Sequence, residues 1–397
     1  MAFGRKIAEI TSLFKGFAGF EYVVDPIRPI GNPSANGFIK EIVYERNGYK
    51  SHAILKSSQK SVSDNLVYEY IVGVKYVNRV MTQYPCFVQT YGLYYYDSPD
   101  NWKMIRDSHH LQSSMLKHLK QQKGIDYTMA CKQSKYAAIL IQHMEIKISL
   151  HAAITVAYHS KTIVQNDLLY ILFIIYHALS SLSKTFTHYD LHADNVLLYE
   201  PQKGKHIKYV YHMRDGKQIE FYTRFIPKII DYGRSFFDNG TTNSAKIREK
   251  ICNTPGCIEC GENNGLGWLD PTSPYFICSS KKNESHDLRL LDFIREDFQT
   301  LDLHTHSAMA VDSVLKKVEY GKFLKPNERS FGTKENTMIH NSGASVANVT
   351  DAYLQLKKHM EKRLIREENA NQYSNQANLL GVLNVFEDGR PMKYELI

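Results

Sequence analysis

Thr187-His188-Tyr189-Asp190-Leu191-His192-Ala193-Asp194-Asn195-Val196-Leu197-Leu198 is followed, 36 residues beyond Asn195, by Asp231 within Ile229-Ile230-Asp231-Tyr232-Gly233. The first stretch sets an aspartate and, five residues later, an asparagine in one loop ahead of an apolar strand. The second ends an apolar strand on an aspartate, with a glycine that lets the chain turn. Asp190 can orient an incoming hydroxyl and accept its proton, Asn195 can coordinate magnesium from the same loop, and Asp231 can hold magnesium bridging nucleotide phosphates. Taken singly, the loop also reads as an Asx-rich turn and Asp231 as a strand-ending turn. Together they point to phosphoryl transfer from a metal nucleotide.

The bulk composition agrees with a folded chain. Its 397 residues are 43% hydrophobic, enough for a large core in a bilobal unit or two to three domains. Forty-nine basic and 41 acidic side chains leave a net charge of +8, but the cations are scattered, so no specific nucleic-acid signal emerges. Arg5 and Lys6 precede no sustained apolar run before Lys15, which argues against a secretory signal. Leu168 to Leu182 is strongly apolar, yet His177, Ser180 and Ser181 interrupt it, so a buried helix is expected and no membrane insertion. The six cysteines do not resemble a small disulfide scaffold.

Along the chain, Ile30 to Tyr44 reads as a flexible turn followed by β-rich sequence, and Asn47-Gly48 signals a hairpin before His52-Ala53-Ile54-Leu55-Lys56. Helical spacing of Val67, Tyr70, Ile71, Val74 and Val77 predicts a helix over 64–81, and strands are expected at 87–95 and 137–144. The polar stretch at about 96–134 reads as a loop-helix-loop insertion. Val164 to Ser183, free of proline and glycine, predicts one central helix leading into the His188 loop. Strands at 195–199 and 226–230 frame a polar hairpin. The chain then looks irregular from Asp231 to about Ser285, helical after His286 and again over 351–368, and packs a terminal tail from Leu379.

Further candidates surround the acidic pair. Gly31 and Gly37 bracket a turn whose amides can cover phosphates, although a loop without ligand fits the same residues. Lys56 can neutralise phosphates, with Glu69 on the next helix fixing it by a charge-assisted pair; exposed strand and helix charges are the bland alternative. Asp287, in His286-Asp287-Leu288-Arg289, can be a helix N-cap, hold the backbone of the His188 loop, or do both.

These residues together resemble the eukaryotic-type protein kinase superfamily over about 25–300, most closely divergent serine/threonine kinases of large DNA viruses. The resemblance implies an α+β, bilobal protein-kinase-like fold. It would comprise an N-terminal extension (1–24), a small β-rich N-lobe (25–146) and a larger, mainly helical C-lobe with a C-terminal extension (147–397). It implies ATP- and magnesium-dependent transfer of the γ-phosphate to serine/threonine hydroxyls of proteins. Gly31, Ser34 and Gly37 would form the phosphate loop, Lys56 and Glu69 the ion pair, and Gln142, His143, Met144 and Glu145 the adenine hinge. Asp190 would be the catalytic base, Asn195 and Asp231 the magnesium ligands, and Asp287 the large-lobe helix aspartate. With no secretory signal or membrane span expected, a soluble intracellular protein of host cytoplasm or virion interior is the expectation.

Departures from the family pattern matter. Tyr189 stands where regulated kinases carry arginine in His-Arg-Asp, which points to constitutive competence or another switch. His192 stands at the catalytic position of a lysine that steadies the γ-phosphate, Tyr232 replaces phenylalanine in Asp-Phe-Gly, and no Ala-Pro-Glu closes the activation segment. A small-molecule kinase with the same nucleotide site, or an inactive kinase-like scaffold, are the alternatives. Cys252, Cys257, Cys260 and Cys278 make the activation segment cysteine-rich; a structural zinc, unpaired thiols and a redox pair all fit their spacing. His151, His159, His177, His304 and His306 lack a matching carboxylate pattern and read as packing or surface residues.

Overall fold

The computed structural model describes residues 5–30, 37–58, 66–124, 136–144, 147–251, 279–298, 301–319 and 345–396. Among them, the first half builds an antiparallel six-stranded sheet in the order β1-β2-β3-β6-β4-β5. Its strands are β1 (Val23–Pro29), β2 (Gly37–Arg46), β3 (Tyr49–Ser58), β4 (Thr90–Tyr96), β5 (Leu119–Gln121) and β6 (Ala137–Gln142). Asn47 and Gly48, with φ of 52° and 78°, make the tight β2–β3 turn, a geometry that suits an Asn-Gly pair. Alternate β2 side chains, Phe38, Ile42 and Tyr44 among them, are buried on one face of the sheet. Tyr44 meets Phe14 and Phe17 edge-on there, so the segment after α1 (Arg5–Leu13) caps this small core.

A single helical run, α2, crosses the sheet's other face as Leu66–Val72, a π-turn at Gly73–Val77, and Asn78–Val80. Val67, Ile71 and Val77 are fully buried along it, which is the periodicity read from the sequence. The insertion after β4 holds α3 (Pro99–Asp107), capped by the Ser98 hydroxyl on Asn101 N. The same insertion also supplies β5, paired with β4, so it is part of the sheet as well as a loop-helix-loop.

The second half is mainly helical. It contains α4 (Leu150–Thr155), α5 (Ala157–Asn166), α6 (Leu168–Ser181), α7 (Ser244–Ile251), α8 (Arg289–Phe298), α9 (His306–Leu315), α10 (Val349–Met360) and α11 (Arg363–Gln372). Every residue of α6 from Leu168 to Leu179 is buried, and truncating one of its large side chains, as in Phe173→Ala, costs about 3–5 kcal/mol. The one helix expected over 164–183 is instead two, bent by 57° between α5 and α6. The break falls at Asp167, whose buried carboxylate accepts from Thr223 Oγ1 (2.8 Å), Tyr373 Oη (2.6 Å) and Arg224 Nη2 (3.2 Å). A charge with three partners off the helix axis, rather than a proline or glycine, sets the bend. No single helix among the described residues is long and apolar enough to cross a membrane.

Small sheets order the loops between the helices. β7 (Lys147–Ser149), β9 (Val196–Tyr199) and β12 (Ile226–Ile229) form one, and β8 (Phe186–Thr187) pairs with β13 (Phe236–Phe237). The polar hairpin becomes β10 (His206–His212) and β11 (Gln218–Thr223). The terminal tail does more than pack: β14 (Leu379–Phe386) runs parallel to β10, β15 (Lys393–Leu396) follows it, and the four strands make a second sheet. This mixed α/β architecture, with a sheet early and helices later, is compatible with a bilobal kinase-like fold.

Candidate active site

Three chain segments meet at Lys56. Its strand β3 is hydrogen-bonded to β2 and β6 in the middle of the sheet, with Ile39 and Ile139 as register partners, so its Cα is held on both sides. Lys56 Nζ donates to Glu69 Oε2 of α2 at 2.7 Å and to Asp231 Oδ1 at 3.1 Å. Burial opposes the ammonium charge, but Asp231 and then Glu69 outweigh it and hold the group above the ordinary lysine value. Burial likewise works against the Asp231 carboxylate, and the Lys56 ammonium overrides it, keeping the acid below its ordinary range. Each charge therefore stabilises the other where desolvation alone would discharge them.

The loop from His188 to Asn195 is held from beneath. Asp287 Oδ2 accepts His188 N–H at 2.7 Å, and its Oδ1 accepts Tyr189 N–H at 3.0 Å. Burial pushes the Asp287 carboxyl up to about 7, with the two N–H donors pulling the other way. His188 Nε2 faces Ile230 O at 3.0 Å while its Nδ1 faces Asp190 N at 3.2 Å. A carbonyl only accepts and an amide N–H only donates, so the ring proton sits on Nε2. Burial lowers this imidazole to about 4, which keeps it neutral in that tautomer. Tyr189 takes φ of 64°, an uncommon left-handed conformation for a residue with a large side chain, and its hydroxyl donates to Lys281 O.

Beyond that turn the proposed chemistry groups converge. Asn195 Nδ2 donates to Asp190 O at 2.8 Å, committing the nitrogen end of the amide and leaving its oxygen as the end available to a cation. Val196 pairs with Ile229, and Ile230 N donates to Asn195 O at 3.0 Å, so Asp231 follows directly from a residue bonded to Asn195. Asp231 also has positive φ, 68°. An amide oxygen and a charged carboxylate are hard-oxygen donors, the kind magnesium takes, so these residue types fit such an ion.

Other expected residues fall as follows. Gln142 ends β6, where its N–H donates to Gln89 O, and Met144 is buried nearby. His143 Nε2 lies 3.2 Å from Glu41 Oε1, which also meets His52 Nδ1 at 3.3 Å, so the segment after β6 is tied to β2 and β3. Gly37 opens β2 so close to β3 that a Cβ would stand 2.3 Å from Ser57 O, which requires glycine there. Gly31, Ser34, Glu145, Cys252, Cys257, Cys260 and Cys278 lie outside the described residues, and with them the zinc question. His192 Nε2 stands 3.9 Å from Asp190 Oδ1, and burial lowers the pKa of the imidazole.

Three contributions escape a reading of the sequence. Arg289 Nη1 donates to Asp190 Oδ1 at 2.6 Å, and Arg234 Nε lies 3.7 Å from Oδ2. The Tyr232 hydroxyl accepts Val88 N–H at 3.0 Å and donates to Ile229 O at 2.6 Å, a use for the oxygen that phenylalanine lacks. Tyr68 of α2 donates to Ser235 O, and Ser235 Oγ donates to His188 O, linking the helix of Glu69 to the loop of Asp190. The position of Arg289 two residues after Asp287 was the available signal, since a chain that holds the loop backbone brings its next side chains to the same place.

No family model matches this chain, and no curated protein matches it. Among solved structures, the chain is similar to the crystal structure of a Plasmodium kinase domain, at 14% identity and a TM-score of 0.33, over 88% of this chain and 86% of that one.

Proposed function

We propose that this protein transfers the γ-phosphoryl group of ATP to a hydroxyl acceptor, with serine and threonine side chains of proteins as the acceptor class. The observation that supports the reading is Lys56 held between Glu69 and Asp231, a fixed cation beside a carboxylate that could hold a metal, at the junction of sheet and helices. Asp190 is the proposed base, Asn195 and Asp231 the proposed holders of magnesium, and Gln142 to Met144 the edge that would meet adenine. Magnesium, when bound, would neutralise phosphate charge and align the triphosphate.

The step balances on these groups. The acceptor O–H gives its proton to Asp190, its oxygen lone pair forms the new bond to γ-phosphorus, and the bond to the β–γ bridging oxygen breaks with its electron pair leaving on ADP. Asp287 keeps the turn before Asp190 from moving, through two N–H bonds to its carboxylate. Lys56 offers its ammonium to the phosphates, as an ion pair that is already assembled.

A small-molecule acceptor is the second reading, favoured by the neutral His192 beside Asp190. One assay separates the two: wild-type protein and D190N are incubated with magnesium and radiolabelled ATP on a mixture of casein and histone. Label on serine or threonine with wild type alone supports a protein kinase. ATP turnover without labelled protein moves the reading toward another acceptor class, and neither label nor turnover rejects the protein-kinase reading.

A further inference from the structure

We propose that Arg289 is a positioning residue for Asp190, an inference that rests on the phosphotransfer reading above. Among the described residues it is the one side chain within hydrogen-bond distance of the Asp190 carboxylate, at 2.6 Å from Oδ1. Arg234 at 3.7 Å and His192 at 3.9 Å face the same carboxylate without bonding it. Oδ1 is thereby committed, and Oδ2 is the oxygen left to meet an acceptor hydroxyl.

Arg289 begins α8, directly after the turn His286–Leu288 that carries Asp287. One short segment therefore grips the loop twice. Asp287 holds the backbone N–H groups of His188 and Tyr189, and Arg289 holds the side chain of the residue that follows them. A carboxylate whose backbone and one oxygen are both fixed has little rotamer freedom left to lose as an acceptor arrives. Both Arg289 and Asp190 side chains are only 20% exposed, so solvent weakens this pair less than it would a surface pair.

Charge supports the same role. Burial favours the neutral form of His192, so the loop position beside Asp190 does not supply a fixed cation. Arg289 at Oδ1 and, at the longer distance of 3.7 Å, Arg234 at Oδ2 supply it, and a guanidinium keeps its charge at any working pH. His188, also neutral, and Asp287 lie close by as well.

ADP release from magnesium ATP, with the casein and histone mixture present, tests the assignment through its separation of kcat from KM. R289Q is expected to lower kcat about tenfold to hundredfold while KM for ATP stays within about twofold, because the nucleotide side of the site is untouched. R289K, which keeps the charge but loses the planar fork, is expected to recover part of that and remain about threefold to tenfold below wild type. Should R289Q fail to fold, as read by its melting curve, R289K is judged on the same kcat and KM criterion. A folded R289Q at or above the wild-type rate, R289K at the wild-type rate, or a loss confined to KM for ATP overturns the proposal while the function reading stands. No ADP release by the wild type overturns both.

Discussion

The Lys56 ammonium stands 3.1 Å from the Asp231 carboxylate across 175 residues of sequence, joining a central strand of the early sheet to the end of β12 in the helical half. Glu69 completes the arrangement from α2 at 2.7 Å. The three charges share partners, so none can be altered without unbalancing the others.

Removing Lys56 is expected to cost both chemistry and stability. K56M should reduce phosphotransfer at least about hundredfold if the ammonium acts on the phosphates as proposed. In urea unfolding, K56M, E69Q and the double variant should show a coupling of about 1–3 kcal/mol between the two sites. Additive effects would mean that the pair is not an energetic unit.

Tyr232 should matter for stability more than for chemistry. Y232F leaves the buried Val88 N–H without its partner, a loss of about 1–3 kcal/mol by urea unfolding, with transfer reduced only in proportion to folded protein. Unchanged stability would show that the hydroxyl does not anchor this segment.

Much of this arrangement is legible in the sequence, for identifiable reasons. Strand alternation in β2, the Asn47-Gly48 turn and the helical spacing of α2 are local patterns, and local patterns decide local structure. Asp190, Asn195 and Asp231 stand in short loops or just past a strand end, where residue type signals a use, and Lys56 and Glu69 stand out as charges in otherwise apolar segments. The bend at Asp167 was hidden because its cause is three partners far along the chain: Thr223, Arg224 and Tyr373. The pairing of β10 with β14 was hidden for the same reason, since parallel strands need a long connection and carry no turn signal between them. The role of Arg289 carried no local pattern of its own, because its partner Asp190 lies 99 positions away.

Asp287 gives a third test. D287A leaves the N–H groups of His188 and Tyr189 without the carboxylate they share, at a cost of about 2–4 kcal/mol in unfolding. Transfer per folded molecule should fall as well, because the turn before Asp190 loses its anchor. A variant destabilised by this amount but fully active once folded would show that the loop holds its shape without Asp287.

Lys228 predicts a pH dependence. Its Nζ donates to Pro85 O at 2.6 Å and Phe87 O at 3.1 Å, and burial lowers the ammonium from 10.5 to about 8. Between those values the unfolded chain binds the proton and the folded chain releases it, so this group makes stability rise with pH there; below about 8 its penalty is constant. The stability difference between wild type and K228M should therefore rise by roughly 3 kcal/mol from pH 8 to 10.5. Burial pushes the neighbouring Cys86 thiol up to about 12, so that thiol stays neutral across the window. A flat difference would contradict the buried-ammonium account.

The central claim is tested most directly by single-turnover transfer of radiolabelled γ-phosphate from magnesium ATP, comparing wild type with D190N and measuring nucleotide binding on the same samples. The account predicts transfer by wild type and, in D190N, nucleotide binding retained within about threefold with transfer at least about a hundredfold slower. Equal transfer rates in the two proteins would contradict the assignment of Asp190 as the base, and absence of transfer by a wild type that binds the nucleotide would contradict phosphotransfer itself.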